Sequence, residues 1–209
     1  MHIEPGFLPA TKVAIANLAT VGVLATYLPP LLRQPTLILR TLAAAMFFSF
    51  FMQVFHLPVG PSELHFVGAM PIYIIFGFIP TLLGFGLGLL LQGLLFEPAD
   101  LVNLGVNTLS LVIPLIAVHY TLGRRIRRID VPTILKLDGA YYSGVTLMVG
   151  FWLLFGEDVT PLADWAWFAS SYIPVVMLEP VVTLLLVKGI QPYADRAPLR
   201  LFVDLPAQA

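Results

Sequence analysis

The first two residues of the chain carry a concentration of nitrogen donors. Met1-His2 combines an α-amine, the backbone amide nitrogen of His2 and the Nδ1 atom of its imidazole, which together can chelate one metal ion. These donors lie roughly in one plane and leave one in-plane position, which a further imidazole could complete. Square-planar nitrogen sites favour Ni(II) or Cu(II), and imidazole also suits cobalt. The sequence therefore offers the N-terminus as a candidate metal site.

The chain has four histidines, and the second imidazole is expected to come from a loop on the same side of the protein. His65 meets this condition because it directly follows the rigid, turn-rich segment PVGPSEL. None of the histidines belongs to an HExxH motif or another close metal-binding pair. We interpret His56 and His119 as polar caps at helix ends, with His119 near the inner end of its span.

Composition places the chain in a membrane. Apolar residues make up 58% of the 209 residues and charged residues 11%, and the mean hydropathy is +0.90. Soluble domains average about 25% charged residues, so this chain cannot cover its surface with charge. The absence of cysteine excludes disulfides and thiolate metal sites. The opening lacks the basic and apolar regions of a signal peptide, and we expect Met1 to be retained.

Hydrophobic segments predict seven membrane spans. A helix needs about 20 apolar residues to cross the hydrocarbon core. Five segments fit this length: Val13–Leu32, Leu37–Phe55, Thr108–Leu122, Gly139–Phe155 and Trp165–Val187. The uncharged segment Phe66–Phe96 is too long for one span. We expect it to break near Pro80 into two short helices.

The positive charges support this count and predict the orientation. With seven spans, ten of the eleven Lys and Arg residues fall on one side, and Lys12 alone lies on the other. A single span across Phe66–Phe96 would instead separate Arg124–Arg128 from Arg33 and Arg40. Because Lys and Arg concentrate in cytoplasmic loops, we expect the N-terminus outside and the C-terminus inside.

The predicted fold is an all-α integral membrane protein, a seven-helix transmembrane bundle with a broken pair of short helices around Pro80. The chain shows no linker, low-complexity tract or internal repeat, so residues 1–209 are predicted to form a single membrane domain. Its parts are an N-terminal metal-binding segment over residues 1–11, the bundle over about 12–190 and a cytoplasmic tail over about 191–209.

Several segments in a fixed order resemble the CbiM/NikM family, the substrate-capture subunits of energy-coupling-factor cobalt and nickel transporters. LPVGPSELHFVGA is similar to the family's Pro- and Gly-rich stretch that leads to a histidine and a Gly-Ala pair. MHIEPGFLP resembles its opening, and LLLQGLLF, LGVN and YIPVVMLEPVVT resemble later motifs. The resemblance covers most of the chain, from Met1 to about Lys188.

The resemblance implies a ligand set that agrees with the chelate described above. In the family the terminal amine, the second residue and the loop histidine hold the metal, which correspond here to Met1, His2 and His65. The motif positions of Gln92 and Asn107 imply supporting roles, and Ser62 of the loop is placed with them. The chain departs from the family pattern at three positions, Pro61, Glu63 and Pro180, which could alter loop geometry, metal preference or the last span.

Glu179 and the arginine cluster need separate interpretations. An ionisable residue inside a span is a functional-site hypothesis by default, but Glu179 lies 14 residues into Trp165–Val187, which places it on the inner side. We interpret it as a buried group that packs the bundle, with contact to a partner subunit as the alternative. Arg124–Arg128 is interpreted as a positive-inside anchor, again with partner contact as the alternative.

The leading hypothesis is a substrate-binding subunit that captures Co(II) or Ni(II) outside a bacterial or archaeal cell, in its cytoplasmic membrane. The chain has no GxxxxGK[ST] phosphate loop, so it is predicted not to be an enzyme and to bind no resident cofactor. The resemblance implies a membrane coupling subunit and cytoplasmic ATPases as partners, with a small accessory membrane subunit as an open question. The bilayer is a further partner, and no nucleic acid is expected.

Two alternatives stay open at this stage. A self-sufficient secondary permease should carry ionisable residues along a central path, and an intramembrane enzyme should carry a recognisable catalytic motif. Only Glu179 and His119 fit the first requirement, and neither HExxH nor a Ser/His pair at one depth satisfies the second. The sequence does not separate cobalt from nickel, because the same nitrogen ligands serve both metals.

Overall fold

The computed structural model describes residues 3, 5–54, 56–59, 62–126, 128–154, 156 and 161–205. In these ranges the chain forms nine α-helices and one short β-hairpin. The helices are α1 (Ala10–Thr26), α2 (Pro29–Arg33), α3 (Pro35–Val54), α4 (Ala69–Phe76), α5 (Phe78–Leu95), α6 (Leu104–Thr121), α7 (Val131–Leu154), α8 (Leu162–Ser171) and α9 (Ile173–Ile190). The hairpin pairs β1 (His56–Val59) with β2 (Ser62–His65).

The helices form seven consecutive segments, because α1 with α2 and α8 with α9 each make one interrupted segment. This arrangement confirms the predicted all-α bundle. Five segments are long and apolar enough to cross a membrane by length and composition: Ala10–Arg33, Pro35–Val54, Phe78–Leu95, Pro98–Arg125 and Leu162–Tyr193. The other two segments are α4, which is only eight residues long, and α7, which is 24 residues long but more polar.

The break between the two short helices lies at Gly77, close to the predicted position. Gly77 adopts a φ of 88°, which favours glycine, and separates α4 from α5. Pro80 lies in the first turn of α5, where its missing N–H breaks no helical hydrogen bond. The predicted pair of short helices is therefore confirmed, and glycine rather than proline makes the turn.

Helices α5 and α6 form the centre of the bundle. Most of the residues of both spans are buried, whereas fewer than a third are buried in the spans containing α1, α3 and α9. Small residues allow α3 and α5 to approach closely: a Cβ added at Gly84 would lie 2.8 Å from the Cβ of Ala44. The exposed side chains of the outer helices are largely apolar, as expected for helices that face lipid.

The C-terminal segment packs against the break between α4 and α5. The Asp204 N–H donates a hydrogen bond of 2.6 Å to the carbonyl oxygen of Ile75, in the last turn of α4, where carbonyls lack helical partners. The Asp204 carboxylate forms an ion pair with Arg40 of α3 at 2.5 Å. This end of the bundle therefore joins α3, α4 and the segment that follows α9.

Candidate metal site

The backbone of Ile3 is held on both sides by asparagine side chains near the start of α6. Its N–H donates to Oδ1 of Asn107 at 2.9 Å, and its carbonyl oxygen accepts from Nδ2 of Asn103 at 2.8 Å. All three residues are buried, with Ile3 and Asn107 each 1% exposed. Buried backbone groups need such partners, so the two side-chain amides fix the position of the Ile3 backbone at the start of α6.

His65 ends β2 and is 4% exposed. Its Nδ1 atom lies 3.3 Å from the carbonyl oxygen of Met52, near the end of α3. A carbonyl only accepts hydrogen bonds, so this contact places the proton on Nδ1 and the lone pair on Nε2. Histidine metal ligands commonly use this arrangement, in which one ring nitrogen donates to a carbonyl and the other binds the metal.

The segment after His65 leaves room only for glycine at position 68. Gly68 has a φ of 62°, and an added Cβ would lie 2.2 Å from Cδ2 of Phe51 on α3. Val67 and Gly68 are buried, and α4 begins at the next residue. The chain therefore runs from His65 into α4 along a tightly packed path.

Gln92 connects α5 to the end of α3. Its Nε2 atom donates to the carbonyl oxygen of Ser49 at 2.7 Å, and its Oε1 atom accepts from Nε2 of Gln53 at 2.7 Å. Gln53 neighbours Met52, the carbonyl partner of His65. Gln92 thus braces the turn of α3 that contacts the histidine.

Other predicted site residues lie outside what the structure describes. Met1, His2 and Pro61 are outside the described residues, and the side chains of Ser62 and Glu63 are likewise not described. Within the described part of the chain, no group of three or more His, Asp or Glu side chains could hold a metal ion. His65, Asn107 and Gln92 lie toward the same end of the bundle as Ile3, because α3 and α5 end there whereas α4 and α6 begin there.

His119 lies at the opposite end of α6. Its Nδ1 atom is 2.8 Å from the Tyr73 hydroxyl, and its ring stacks on Phe78 at a centroid separation of 3.7 Å. The predicted cap at a helix end agrees with this position in the last turn of α6. His119 is therefore separated from His65 by the length of α4.

A buried acidic pair appears that the sequence did not reveal. Glu179 and Asp138 are both fully buried, and their carboxyl groups are neighbours. Glu179 also accepts a hydrogen bond of 2.8 Å from the Met70 N–H in the first turn of α4, and one from the Tyr142 hydroxyl. Glu179 therefore lies in the packed interior beside the start of α4, nearer to the segment of His65 than its expected position on the inner side.

Asp138 escaped notice because the predicted span began one residue later, at Gly139. Helix α7 in fact begins at Val131 and takes both Lys136 and Asp138 into its first turns. Helical spacing could have indicated it, since Asp138 and Tyr142 are four residues apart on one helix face and both lie beside Glu179.

Comparison with known proteins agrees with these features. The family model described as the cobalt uptake substrate-specific transmembrane region, CbiM, matches residues 2–197. No curated protein matches the sequence of this chain. The fold is similar to a crystal structure of a transition metal transporter, with a TM-score of 0.71 over 97% of each chain at 18% identity. At that identity the similarity establishes the fold alone.

The matched range contains Ile3, His65, Asn103, Asn107 and Glu179. The match covers nearly the whole chain, and the helical segments with their apolar surfaces identify a multi-pass membrane protein. The chain belongs to the CbiM family of cobalt-uptake substrate-specific transmembrane proteins.

Proposed function

We propose that this protein is the substrate-binding membrane subunit of an energy-coupling-factor transporter and captures Co(II) or Ni(II) for uptake. The α-amine of Met1, the amide and imidazole nitrogens of His2 and the imidazole of His65 are the proposed ligands. Ser62, Gln92 and Asn107 are proposed to support them. The metal is the cargo, which the protein binds and later releases.

The observation that carries the proposal is the double hydrogen bond to the backbone of Ile3. A terminal chelate requires that the residues before Ile3 are held at a fixed position relative to His65. The amides of Asn103 and Asn107 fix the backbone of Ile3 from both sides. The Nδ1 contact of His65 with the Met52 carbonyl supports the ligand role of its Nε2 atom.

The donor set fits both metals and suits release. Nitrogen donors in a square arrangement bind Ni(II), and imidazole also binds cobalt. Withdrawal of the N-terminal segment would remove three of the four proposed ligands at once. A metal bound to a terminus can therefore be released by displacing one short segment, without opening the bundle.

The partners are proposed from the family and the sequence together. The family supplies the substrate-specific membrane region of cobalt uptake, and the chain contains no phosphate-binding loop of the GxxxxGK[ST] type. Energy for uphill transport is therefore proposed to come from cytoplasmic ATPases through a membrane coupling subunit. We place the metal site outside and the C-terminus inside a bacterial or archaeal cytoplasmic membrane, following the charge distribution.

Metal binding by purified protein tests the site. The N-terminus is first verified by mass spectrometry, because the chelate requires an unblocked Met1. Titration calorimetry with Ni(II) and Co(II) should then give one site per chain. A variant with one alanine added before Met1 should fold normally and lose high-affinity binding, whereas unchanged affinity would refute the terminal chelate.

Histidine substitutions provide the matched comparison. His65→Ala removes a proposed ligand and should lower affinity by more than about 100-fold, because even residues that only orient ligands change metal affinity by about 10- to 100-fold. His119→Ala and His56→Ala should leave affinity within about threefold of wild type. Equal losses in all three variants would show that the loop ligand is misassigned.

A self-sufficient permease is the alternative that uptake assays separate. Cells that contain this chain without partner ATPases should accumulate no metal above background. Cells that also contain the coupling subunit and its ATPases should accumulate metal. Saturable uptake by the chain alone would favour the permease and refute the proposed subunit role.

A further inference from the structure

The carboxyl group of Glu179 connects three helices in the interior of the bundle. It projects from α9, accepts a hydrogen bond from the Met70 N–H of α4 at 2.8 Å, and accepts a second from the Tyr142 hydroxyl of α7. The Ala69 N–H also lies within hydrogen-bonding reach. Glu179 is fully buried, and burying a charged or polar group is costly unless such bonds compensate.

These contacts make Glu179 the cap of α4. The first N–H groups of a helix have no helical partners, and a side chain of the preceding residue usually satisfies one of them. The preceding residue here is Gly68, which provides no side-chain cap. The Glu179 carboxyl supplies the missing acceptor from another helix, and its position at the positive end of α4 is electrostatically favourable.

Asp138 lies beside this carboxyl in the interior of the bundle. Its two oxygen atoms receive no hydrogen bond from a donor group of the described residues, and its polar neighbour is the carboxyl group of Glu179. Ionised carboxylates only accept hydrogen bonds, so a bond between the two requires a proton on one of them. No lysine, arginine or histidine in the described ranges forms an ion pair with either carboxyl, which makes a shared proton the natural way to neutralise the pair.

The cap lies next to the loop histidine along the chain. Only Phe66, Val67 and Gly68 separate His65 from α4. Val67 is fully buried, and at Gly68 the Phe51 ring leaves no space even for an added Cβ, so this closely packed connection has little room to absorb a shift. A displacement of the first turn of α4 would therefore move His65.

We propose that Glu179 is a positioning residue for metal binding: its carboxyl, held by the Tyr142 hydroxyl, fixes the start of α4 and thereby the loop that presents His65. This inference rests on the proposed function. It assigns Glu179 an action through α4, distinct from contact with the metal and from contact with a partner subunit.

Two substitutions of Glu179 separate positioning from simple packing. Glu179→Leu keeps an apolar side chain of similar size but removes the acceptor, and leaving a buried amide unpaired costs about 1–3 kcal/mol, so Ni(II) affinity should fall by about five- to 150-fold. Glu179→Gln keeps an oxygen for the Met70 N–H and should bind Ni(II) within about threefold of wild type. Both affinities are measured by calorimetry on folded, monodisperse protein.

Thr183→Val is the matched control on the same helix. Its hydroxyl donates a buried hydrogen bond of 2.8 Å to the backbone carbonyl of Glu179, so its loss perturbs α9 and removes no hydrogen bond to α4. This variant should melt earlier and bind Ni(II) like wild type. Tyr142→Phe removes only one donor to the carboxyl and should give a smaller loss of affinity, which keeps the test decisive if Glu179→Leu does not fold.

Hydrogen exchange at the Met70 amide gives a readout that does not depend on metal. Glu179→Leu should accelerate exchange at the start of α4, and Thr183→Val should leave it unchanged. Wild-type Ni(II) affinity and wild-type Met70 exchange in Glu179→Leu or Tyr142→Phe would overturn the inference while leaving the metal site intact. A wild-type protein that binds neither Ni(II) nor Co(II) would instead overturn the proposed function and this inference together.

Discussion

Replacement of Asn107 by alanine tests whether docking of the N-terminal segment controls metal affinity. The Oδ1 atom of Asn107 accepts the N–H of Ile3 at 2.9 Å, and both residues are almost completely buried. Asn107→Ala removes that acceptor and leaves the bundle otherwise intact. The docked segment then has either an unpaired buried amide or a shifted position.

The expected magnitude follows from the loss of this one acceptor. An unsatisfied buried donor costs about 1–3 kcal/mol, and this cost falls on the docked state because an undocked Ile3 amide bonds to water. The docked population, and with it the apparent affinity for Ni(II) or Co(II), should therefore fall by about five- to 150-fold. The remaining bond from Asn103 to the Ile3 carbonyl should keep binding measurable.

Asn17→Ala is the matched control. Asn17 also bonds to the start of α6, where its Oδ1 accepts the Gly105 N–H at 2.7 Å, but no hydrogen bond of the described residues joins it to Ile3. Calorimetry should show a loss of affinity for Asn107→Ala and nearly wild-type affinity for Asn17→Ala. Equal affinities for wild type and folded Asn107→Ala, or equal losses in both variants, would refute the docking argument.

Three further predictions concern pH and stability. Metal affinity should fall by about tenfold or more per unit as the pH drops below 7, because an α-amine with an ordinary pKa of about 7.7–8.0 and imidazole must lose protons to bind. Gly68→Ala should lower the free energy of unfolding by about 2–5 kcal/mol, because of the positive φ at this position and the clash of the added Cβ with Phe51. Its control is Gly22→Ala, where an added Cβ has no neighbour within 4 Å. That variant should be neutral or more stable by up to about 1 kcal/mol. Asp204→Ala should cost at most about 1 kcal/mol, because its half-exposed carboxylate leaves the ion pair with Arg40 largely screened and its backbone bond to α4 persists.

Each of these predictions has a contradicting result. Calorimetric affinities that do not change between pH 8 and 6 would show that no titrating nitrogen binds the metal. Denaturation in detergent that gives equal stabilities for the two glycine variants would contradict the strained packing at position 68. A loss of several kcal/mol in Asp204→Ala would show that the side chain, rather than the backbone bond, secures the C-terminal segment.

The helical bundle could be predicted because the membrane imposes simple rules. Low charge content, apolar segments of spanning length and the one-sided distribution of Lys and Arg predicted seven segments, and the described part of the chain forms seven. Helix boundaries were less predictable. Helix α6 begins at Leu104 and α7 at Val131, each several residues before the apolar segment, because buried polar residues such as Asn107 and Asp138 extend helices beyond the stretch that hydropathy detects.

Residues of the candidate site could be predicted from the sequence only where the side chain or terminus is itself typical of metal binding. Imidazole and a terminal amine are common metal ligands, so Met1, His2 and His65 could be proposed from the sequence, and their ligand roles stay a prediction. The β-hairpin was expected only as a turn-rich loop, since its strands are four residues each and depend on pairing with one another. The proximity of Asp138 and Glu179 could not be predicted, because they are 41 positions apart and their meeting depends on how α7 packs against α9.

The hydrogen bonds to the Ile3 backbone have a consequence for the choice of translation start. Asn103 and Asn107 hold main-chain atoms, so they fix a position along the chain and are indifferent to which apolar side chain fills the space at residue 3. The number of residues before that position then sets where the terminal amine lies. On the proposed chelate, one residue added before Met1 should leave the docking of Ile3 in place and move the terminal amine one residue further from it. Recombinant protein for metal studies should therefore carry its purification tag at the C-terminus.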